Sequence, residues 1–223
     1  TVSDVNETPS AVALSASSFA ENAAGATVGT LSATDPDSGE TFTYAISGTD
    51  KDSFELSGTT LKLKDAISAD FETDSSYSIT LTATDSAENT VSKDYTITVT
   101  DVNETPSALA LSASTFAENA AGASIGTLSA TDPDSGETFT YAISGTDKDS
   151  FELDGTTLKL KDAVSADFES DSSYSITLTA TDSADNTVSK DYTISVTDVN
   201  ETPSALALSA STFAENAAGA SIG

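Results

Sequence analysis

The stretch Ser76-Tyr-Ser-Ile-Thr-Leu-Thr-Ala-Thr84 alternates polar and apolar side chains from end to end. Alternation with a period of two puts the apolar residues on one face of an extended chain, so the stretch predicts a β-strand buried on one side. Serine and threonine on the other face suit a sheet surface that meets water. The same nine residues recur at 173–181, which is 97 positions further on (173 − 76). The chain is therefore built from repeats.

A second motif gives the repeat boundaries. Asp-Val-Asn-Glu-Thr-Pro-Ser occurs at residues 4–10, 101–107 and 198–204, again 97 positions apart (101 − 4 and 198 − 101). A fixed long period is typical of an array of similar units. We expect an excerpt from a longer array, and we expect residues 198–223 to fray because they carry only the first strand of a sheet. The predicted segments are a linker from a preceding repeat (1–7), repeat one (8–100), a linker (101–104), repeat two (105–197), and a linker with the truncated start of repeat three (198–223).

Further alternation predicts the other strands of each repeat. In repeat one, a hairpin is expected on either side of Gly58, and two stretches, 21–25 and 64–69, could each form one helical turn. Seven short antiparallel strands in a repeat of this length indicate an all-β fold of tandem seven-stranded Greek-key β-sandwiches of immunoglobulin type, joined end to end by short linkers. The predicted strands cover 11–16, 27–33, 42–46, 54–56, 61–63, 77–83 and 95–99.

The composition excludes several classes of function. The net charge is −28, so nucleic acid and anionic membrane surfaces are excluded as partners, since both require a cationic face. Cysteine is absent, which excludes thiol redox chemistry, and no apolar run is long enough to span a membrane. So many carboxylates require a counter-charge.

Acidic residues gather in loops just outside the predicted strand ends. Calcium prefers six to eight oxygen ligands at about 2.3–2.6 Å, and such loops supply carboxylates, amide oxygens and backbone carbonyls. Without a cation, carboxylates held this close would repel one another. In repeat one these residues are Glu21 in Ala-Glu-Asn, Asp35 and Asp37 in Asp-Pro-Asp, Asp70 and Glu72 in Ala-Asp-Phe-Glu, and Asp85 in Ala-Thr-Asp-Ser.

Together with the linker motif, this set resembles the calcium-binding signatures of cadherin repeats over essentially the whole 97-residue unit. The Asp-Pro-Asp-Ser-Gly and Asp-Val-Asn-Glu-Thr-Pro versions are most similar to the extender repeats of giant bacterial RTX-type surface adhesins. The sequence departs from the cadherin pattern at Glu104, where an aspartate is usual, in the early proline of the linker, and at Ala69.

The resemblance implies about two to three Ca²⁺ ions in each complete joint between repeats. For the joint of repeats one and two it implies the ligands Glu21, Asp70, Glu72, Asp101, Val102, Asn103, Glu104, Thr105, Asp132, Asp134 and Asp182, with Val102 and Thr105 offering carbonyls. An N-terminal partial joint would use Asn6, Glu7, Asp35, Asp37 and Asp85. A C-terminal incomplete joint, expected to bind weakly or not at all, would use Glu118, Asp167, Glu169, Asp198, Asn200 and Glu201.

The function implied is a calcium-rigidified spacer on a bacterial cell surface, which projects a distal ligand-binding domain. Its partners would be neighbouring repeats of the same chain, without nucleic acid, membrane contact or a small-molecule substrate. The alternative is homophilic adhesion, although the chain has no tryptophan to anchor an exchanged strand. An enzyme using Asp70 and Glu72 as acid and base is disfavoured, because short loops offer no cleft and histidine is absent.

Overall fold

The computed structural model describes residues 5–203, 205–208, 211, 212, 215, 218 and 219. The chain divides into two compact units. The first contains residues 1–107 together with the loops 132–138 and 182–186, and the second contains 108–131, 139–181 and 187–223. No helix among the described residues is long and apolar enough to cross a membrane.

The first unit contains eight strands in two four-stranded sheets. One sheet has the order β1-β3-β6-β5, and the other has the order β2-β8-β7-β4. A 3₁₀ turn covers Lys51–Ser53. The strands are β1 (Ala11–Leu14), β2 (Ser18–Ala20), β3 (Thr27–Thr34), β4 (Thr43–Ser47), β5 (Phe54–Ser57), β6 (Thr60–Leu63), β7 (Ser76–Thr84) and β8 (Thr90–Thr100).

The second unit repeats this arrangement. Its sheets have the orders β9-β11-β14-β13 and β10-β16-β15-β12, and its 3₁₀ turn covers Lys148–Ser150. The strands are β9 (Ala108–Leu111), β10 (Thr115–Ala117), β11 (Ser124–Thr131), β12 (Thr140–Ser144), β13 (Phe151–Asp154), β14 (Thr157–Leu160), β15 (Ser173–Thr181) and β16 (Thr187–Thr197).

The core of each unit is made by the inward positions of the alternating strands. In the first unit Ile79 and Leu81 of β7 are buried beside Ile97 of β8, while the serines and threonines between them face outward. Tyr77 packs edge-on against Phe54, with ring centroids 5.4 Å apart. Burial of one face per strand supplies the hydrophobic stabilisation without any disulfide.

The all-β sandwich prediction is confirmed, and the structure corrects three details. Each repeat has eight strands rather than seven, because the three-residue strand β2 was too short to show an alternation. Its pairing with β8 is parallel, so the expectation of purely antiparallel strands is wrong there. Residues 21–25 and 64–69 form bends and turns instead of helical turns.

The expected first strand of a third repeat is not seen in the described part of 198–223, and the rest of that prediction lies outside the described residues.

Candidate metal centre

A buried glutamate organises the end of the first unit. Glu21 follows β2 directly and is 3% exposed. Its Oε2 accepts the Phe71 N–H at 2.7 Å, and its Oε1 accepts the Val102 N–H at 2.9 Å. One carboxylate therefore holds both the loop before β7 and the linker after β8. A buried carboxylate requires such hydrogen bonds because they replace the water that hydrates it in solution.

Carboxylates crowd around this glutamate in two overlapping groups. Oxygens of Glu21, Glu72 and Asp101 lie within 4.8 Å of one another, and so do oxygens of Glu72, Glu104 and Asp134. Glu72 belongs to both groups. Like charges at this separation repel strongly unless a cation or protons neutralise them.

The linker also contacts the two loops that complete the first unit. The Glu104 N–H donates to Asp134 Oδ2 at 2.8 Å, and Asn103 Nδ2 donates to Asp182 Oδ2 at 2.9 Å. Asp182, only 5% exposed, accepts further hydrogen bonds from the N–H groups of Ala184 and Asn186. These contacts add two predicted ligands, Asn103 and Asp182, and the Asp134 N–H donates to a third, Asp132, at Oδ1 and 3.1 Å. We call Glu21, Glu72, Asp101, Glu104, Asp132, Asp134 and Asp182 the central carboxylate centre.

Three buried oxygens of the central carboxylate centre have no hydrogen-bond partner among the described residues: Glu104 Oε2, Asp132 Oδ2 and Asp134 Oδ1. Buried carboxylate oxygens are normally satisfied, and each unsatisfied one costs free energy. A donor set of carboxylates and linker carbonyls is the set that calcium prefers, whereas zinc and copper sites favour nitrogen or sulfur ligands. The residues present therefore fit a calcium ion.

The pKa values of the central carboxylate centre reflect this crowding. Loss of hydration raises the pKa of Asp101, and the charges of Asp134 and Glu21 raise it further. The pKa values of Glu72, Glu104 and Asp132 are raised for the same two reasons, in the same order. Without a cation, these groups resist carrying full negative charge together.

Asp182 behaves in the opposite way. Loss of hydration pushes the pKa of its carboxyl upward, but hydrogen bonds from Asn103, Asn186 and Ala184 outweigh that effect, and the pKa is lowered. Asp182 is therefore a fixed negative charge that the surrounding donors stabilise.

The predicted N-terminal ligands come together in a matching network. The Glu7 N–H donates to Asp37 Oδ2 at 2.7 Å. Asn89 Nδ2 donates to Asn6 Oδ1 at 2.8 Å and to Asp85 Oδ2 at 3.0 Å. The remaining predicted ligand, Asp35, has a buried Oδ2 without a partner.

The C-terminal ligands form a group within the second unit. Oxygens of Glu118, Glu169, Asp198 and Glu201 lie within 4.8 Å of one another. Glu118 repeats the role of Glu21, because it is 3% exposed and accepts the N–H groups of Phe168 and Val199 at 2.7 and 2.8 Å. Asn200 lies beside this group and donates to the Glu201 carbonyl at 2.9 Å.

Two predicted ligands stand outside these groups. Asp70 accepts hydrogen bonds from the N–H and hydroxyl of Thr73 at 3.1 and 2.9 Å. Asp167 accepts from the Glu169 N–H at 3.1 Å and from the Ser170 hydroxyl at 3.0 Å. Through these hydrogen bonds the two aspartates stabilise the loops that carry Glu72 and Glu169, which are members of the carboxylate groups. Val102 and Thr105 lie in the linker, where Val102 contributes its N–H to Glu21.

Sequence reasoning missed the amide and acidic side chains around the predicted ligands. Asn22 donates to Glu104 Oε1, and its counterpart Asn119 donates to Glu201 Oε1. Asn186 donates to the Glu104 carbonyl at 3.2 Å, and Glu137 accepts from Ser183. Their positions in the sequence could have indicated them, because Asn22 directly follows the predicted ligand Glu21 and Glu137 lies three residues beyond the predicted ligand Asp134.

A family model for the cadherin domain matches this chain twice, at residues 15–100 and 112–197. The chain belongs to the cadherin family. Cadherin domains bind Ca²⁺ at the linkers between domains. The two matched segments of this cadherin contain strands β2–β8 and β10–β16, and the first strand of each copy precedes its segment.

Solved structures of other cadherins resemble this one. Protocadherin gammaB7 EC3-6, described as a cis-dimer, is 26% identical with a TM-score of 0.59, and the match covers 86% of this chain and 48% of that chain. The extracellular domain of protocadherin gammaB4 is 27% identical with a TM-score of 0.63, and the match covers 89% and 34%. This cadherin thus spans half or less of either chain.

Human protocadherin-24 EC1-2 has the same fold at 20% identity, with a TM-score of 0.65 and coverage of 88% of this chain and 100% of that chain. A search of curated protein sequences found no match to this cadherin.

Proposed function

We propose that this chain is a calcium-rigidified spacer segment of a bacterial cell-surface adhesin, which projects a distal ligand-binding domain away from the cell. The observation that carries the proposal is the set of three buried carboxylate oxygens without partners, on Glu104, Asp132 and Asp134. A calcium ion would satisfy these oxygens and remove the repulsion among their neighbours.

The proposed ion sites number about two to three per complete joint and take their ligands from the predicted sets. Glu21, Glu72 and Asp101 would hold one ion, and Glu72, Glu104 and Asp134 would share another. Asp132 and Asp182 would complete the set beside the linker. The predicted segment boundaries, with a linker at 101–104 and another at the start of 198–223, are part of the same proposal.

The near-identity of the two repeats favours a spacer over a recognition module. Repeat two differs from repeat one by substitutions such as Val12 to Leu109 and Glu88 to Asp185, which preserve volume or charge. An array of nearly identical units increases the length of a protein without adding binding loops of different sequence. The absence of histidine and the short loops favour a role without catalysis, and the likeness to cadherin extracellular domains favours an extracellular location.

Small-angle scattering with and without a chelator tests the spacer role. We expect one narrow distribution of dimensions in calcium and a broader one after chelation, because calcium would fix the joint between repeats. Asp134→Asn should broaden the distribution in calcium, whereas the control Asp149→Asn, at an exposed aspartate of the 3₁₀ turn, should not. Equal distributions in calcium and in chelator would refute the spacer role.

Homophilic adhesion remains the alternative, and protocadherin gammaB7 is described as a cis-dimer. Sedimentation of this chain at micromolar concentration in calcium separates the two functions. A spacer stays monomeric under these conditions, whereas an adhesive module forms dimers.

A further inference from the structure

Glu137 joins the two loops that carry three of the proposed calcium ligands. Its Oε2 accepts the Ser183 N–H at 3.1 Å, and its Oε1 accepts the Ser183 hydroxyl at 3.1 Å. Glu137 lies three residues after Asp134, and Ser183 directly follows Asp182. One side chain therefore fixes loop 132–138 against loop 182–186 at the point where both present carboxylates.

Repeat one contains the same contact with one addition. Glu40 Oε2 accepts the Ser86 N–H at 3.3 Å and its hydroxyl at 2.7 Å. Its Oε1 also accepts Asn6 Nδ2 at 3.1 Å, and Asn6 is one of the proposed N-terminal ligands. The glutamate thus contacts both a neighbouring loop and the linker that crosses it.

Hydrogen-bond partners that orient metal ligands are often as important for affinity as the ligands themselves. We propose that Glu137, and Glu40 in repeat one, are positioning residues that set the distance between the two ligand-bearing loops and thereby preorganise the calcium site. Both Glu137 oxygens accept hydrogen bonds from Ser183, so the proposed role of this side chain is to position Asp134 and Asp182. This inference rests on the proposed calcium binding.

Calorimetric titration of the full chain with calcium tests the inference. Asp134→Ala serves as the reference that lacks the central site, so that the difference from the unaltered chain isolates this site. We expect Glu137→Ala to weaken its affinity about tenfold. Glu137→Gln should weaken the affinity for calcium less than about threefold, because the amide oxygen still accepts a hydrogen bond from Ser183 and only the charge is lost. The control Asp154→Ser removes one charge and restores the residue that repeat one has at position 57, so it should bind as the unaltered chain does.

Hydrogen exchange of the Ser183 amide in the calcium-free chain gives a second readout. Glu137→Ala should speed this exchange, while exchange in the β15–β16 ladder stays unchanged. If Glu137→Ala prevents folding, Ser183→Ala takes its place and should weaken calcium binding by a smaller factor, since the N–H bond is kept.

Equal weakening by Glu137→Ala and Glu137→Gln would show that only charge matters and would overturn the positioning role. Unchanged affinity in Glu137→Ala, with the unaltered chain binding calcium, would overturn this inference alone. An unaltered chain that binds no calcium would overturn the proposed function and this inference with it.

Discussion

At the scale of single residues, Glu21 and Glu72 show how two glutamates of one group differ. Glu21 is buried and accepts two backbone N–H groups, while Glu72 is exposed. Both are close enough to Asp101 to share an ion. Glu21 therefore has a structural role that does not require calcium, whereas the exposed Glu72 is proposed to act only as a calcium ligand.

Alanine substitutions separate the two roles. In chelator, Glu21→Ala should lower the free energy of unfolding by about 2 kcal/mol, because the N–H groups of Phe71 and Val102 lose their acceptor. Glu72→Ala, which removes the same charge, should leave that free energy unchanged or raise it by relieving repulsion. Urea unfolding in chelator measures both, and equal values for the two variants would contradict the distinction. Both variants should bind calcium more weakly.

At the scale of elements, strand β3 lies between β1 and β6 in one sheet and has very little space at Gly29. The β3–β6 ladder shifts register between Thr27 and Gly29. A Cβ at Gly29 would lie 2.9 Å from the backbone N and O of Ala16, closer than real Cβ contacts allow. The glycine is required by this close approach of backbone to backbone.

Gly29→Ala should therefore destabilise the first unit by about 1–3 kcal/mol, since backbone atoms must move to admit the methyl group. The control is Ser32→Ala, at an exposed position of the same strand, which should change stability by about 0.5 kcal/mol or less. Urea unfolding in calcium gives both values. Equal stability of the two variants would mean that β3 has room at Gly29.

Sequence alternation predicted the long elements because burial on one face imposes it. Strand β7 follows it from end to end, whereas in β8 the apolar positions are interrupted at Lys93, so the prediction covered 95–99 and missed the start at Thr90. Gly58 has the positive φ of 63° that the predicted hairpin turn requires. Strand β2 has three residues, too few for a pattern, and its parallel pairing with β8 depends on tertiary structure.

The candidate site, like the fold, was predictable from the sequence only in part. Oxygen-rich loops at strand ends indicated which carboxylates to consider, and the resemblance to cadherins ordered them. The contact of Asn22 with Glu104 joins residues 82 positions apart, and that of Asn186 with the Glu104 carbonyl does the same. Such pairings depend on how the chain is folded, so local sequence does not reveal them.

At the scale of the whole molecule, charge couples folding to cations. A net charge of −28 in 22.6 kDa destabilises a compact state through self-repulsion. Calcium bound only by the folded chain counters this by mass action, and saturation at 100 times the dissociation constant adds about 2.7 kcal/mol. The proposed calcium binding would therefore supply stability that a less acidic sandwich has without a cation.

The response to pH should reverse when calcium is added. Loss of hydration and neighbouring charges raise the pKa values of Asp101, Glu104 and Asp132 above their unfolded values of about 4. In the calcium-free chain the folded state therefore takes up protons first, and its stability increases as the pH falls through the raised pKa values toward the unfolded values. The lowered pKa of Asp182 acts below that window, where stability is lost as the pH falls through the folded value.

With saturating calcium, the ions keep the same carboxylates charged, so protons compete with calcium and stability decreases as the pH falls. Thermal melts between about pH 5 and 7, in metal-free buffer and in calcium, measure both slopes. The chain has no histidine, so no imidazole titrates in this range. Asp134→Asn removes one charge from the centre and should flatten both slopes. Slopes of the same sign with and without calcium would show that the crowded carboxylates are not the calcium site.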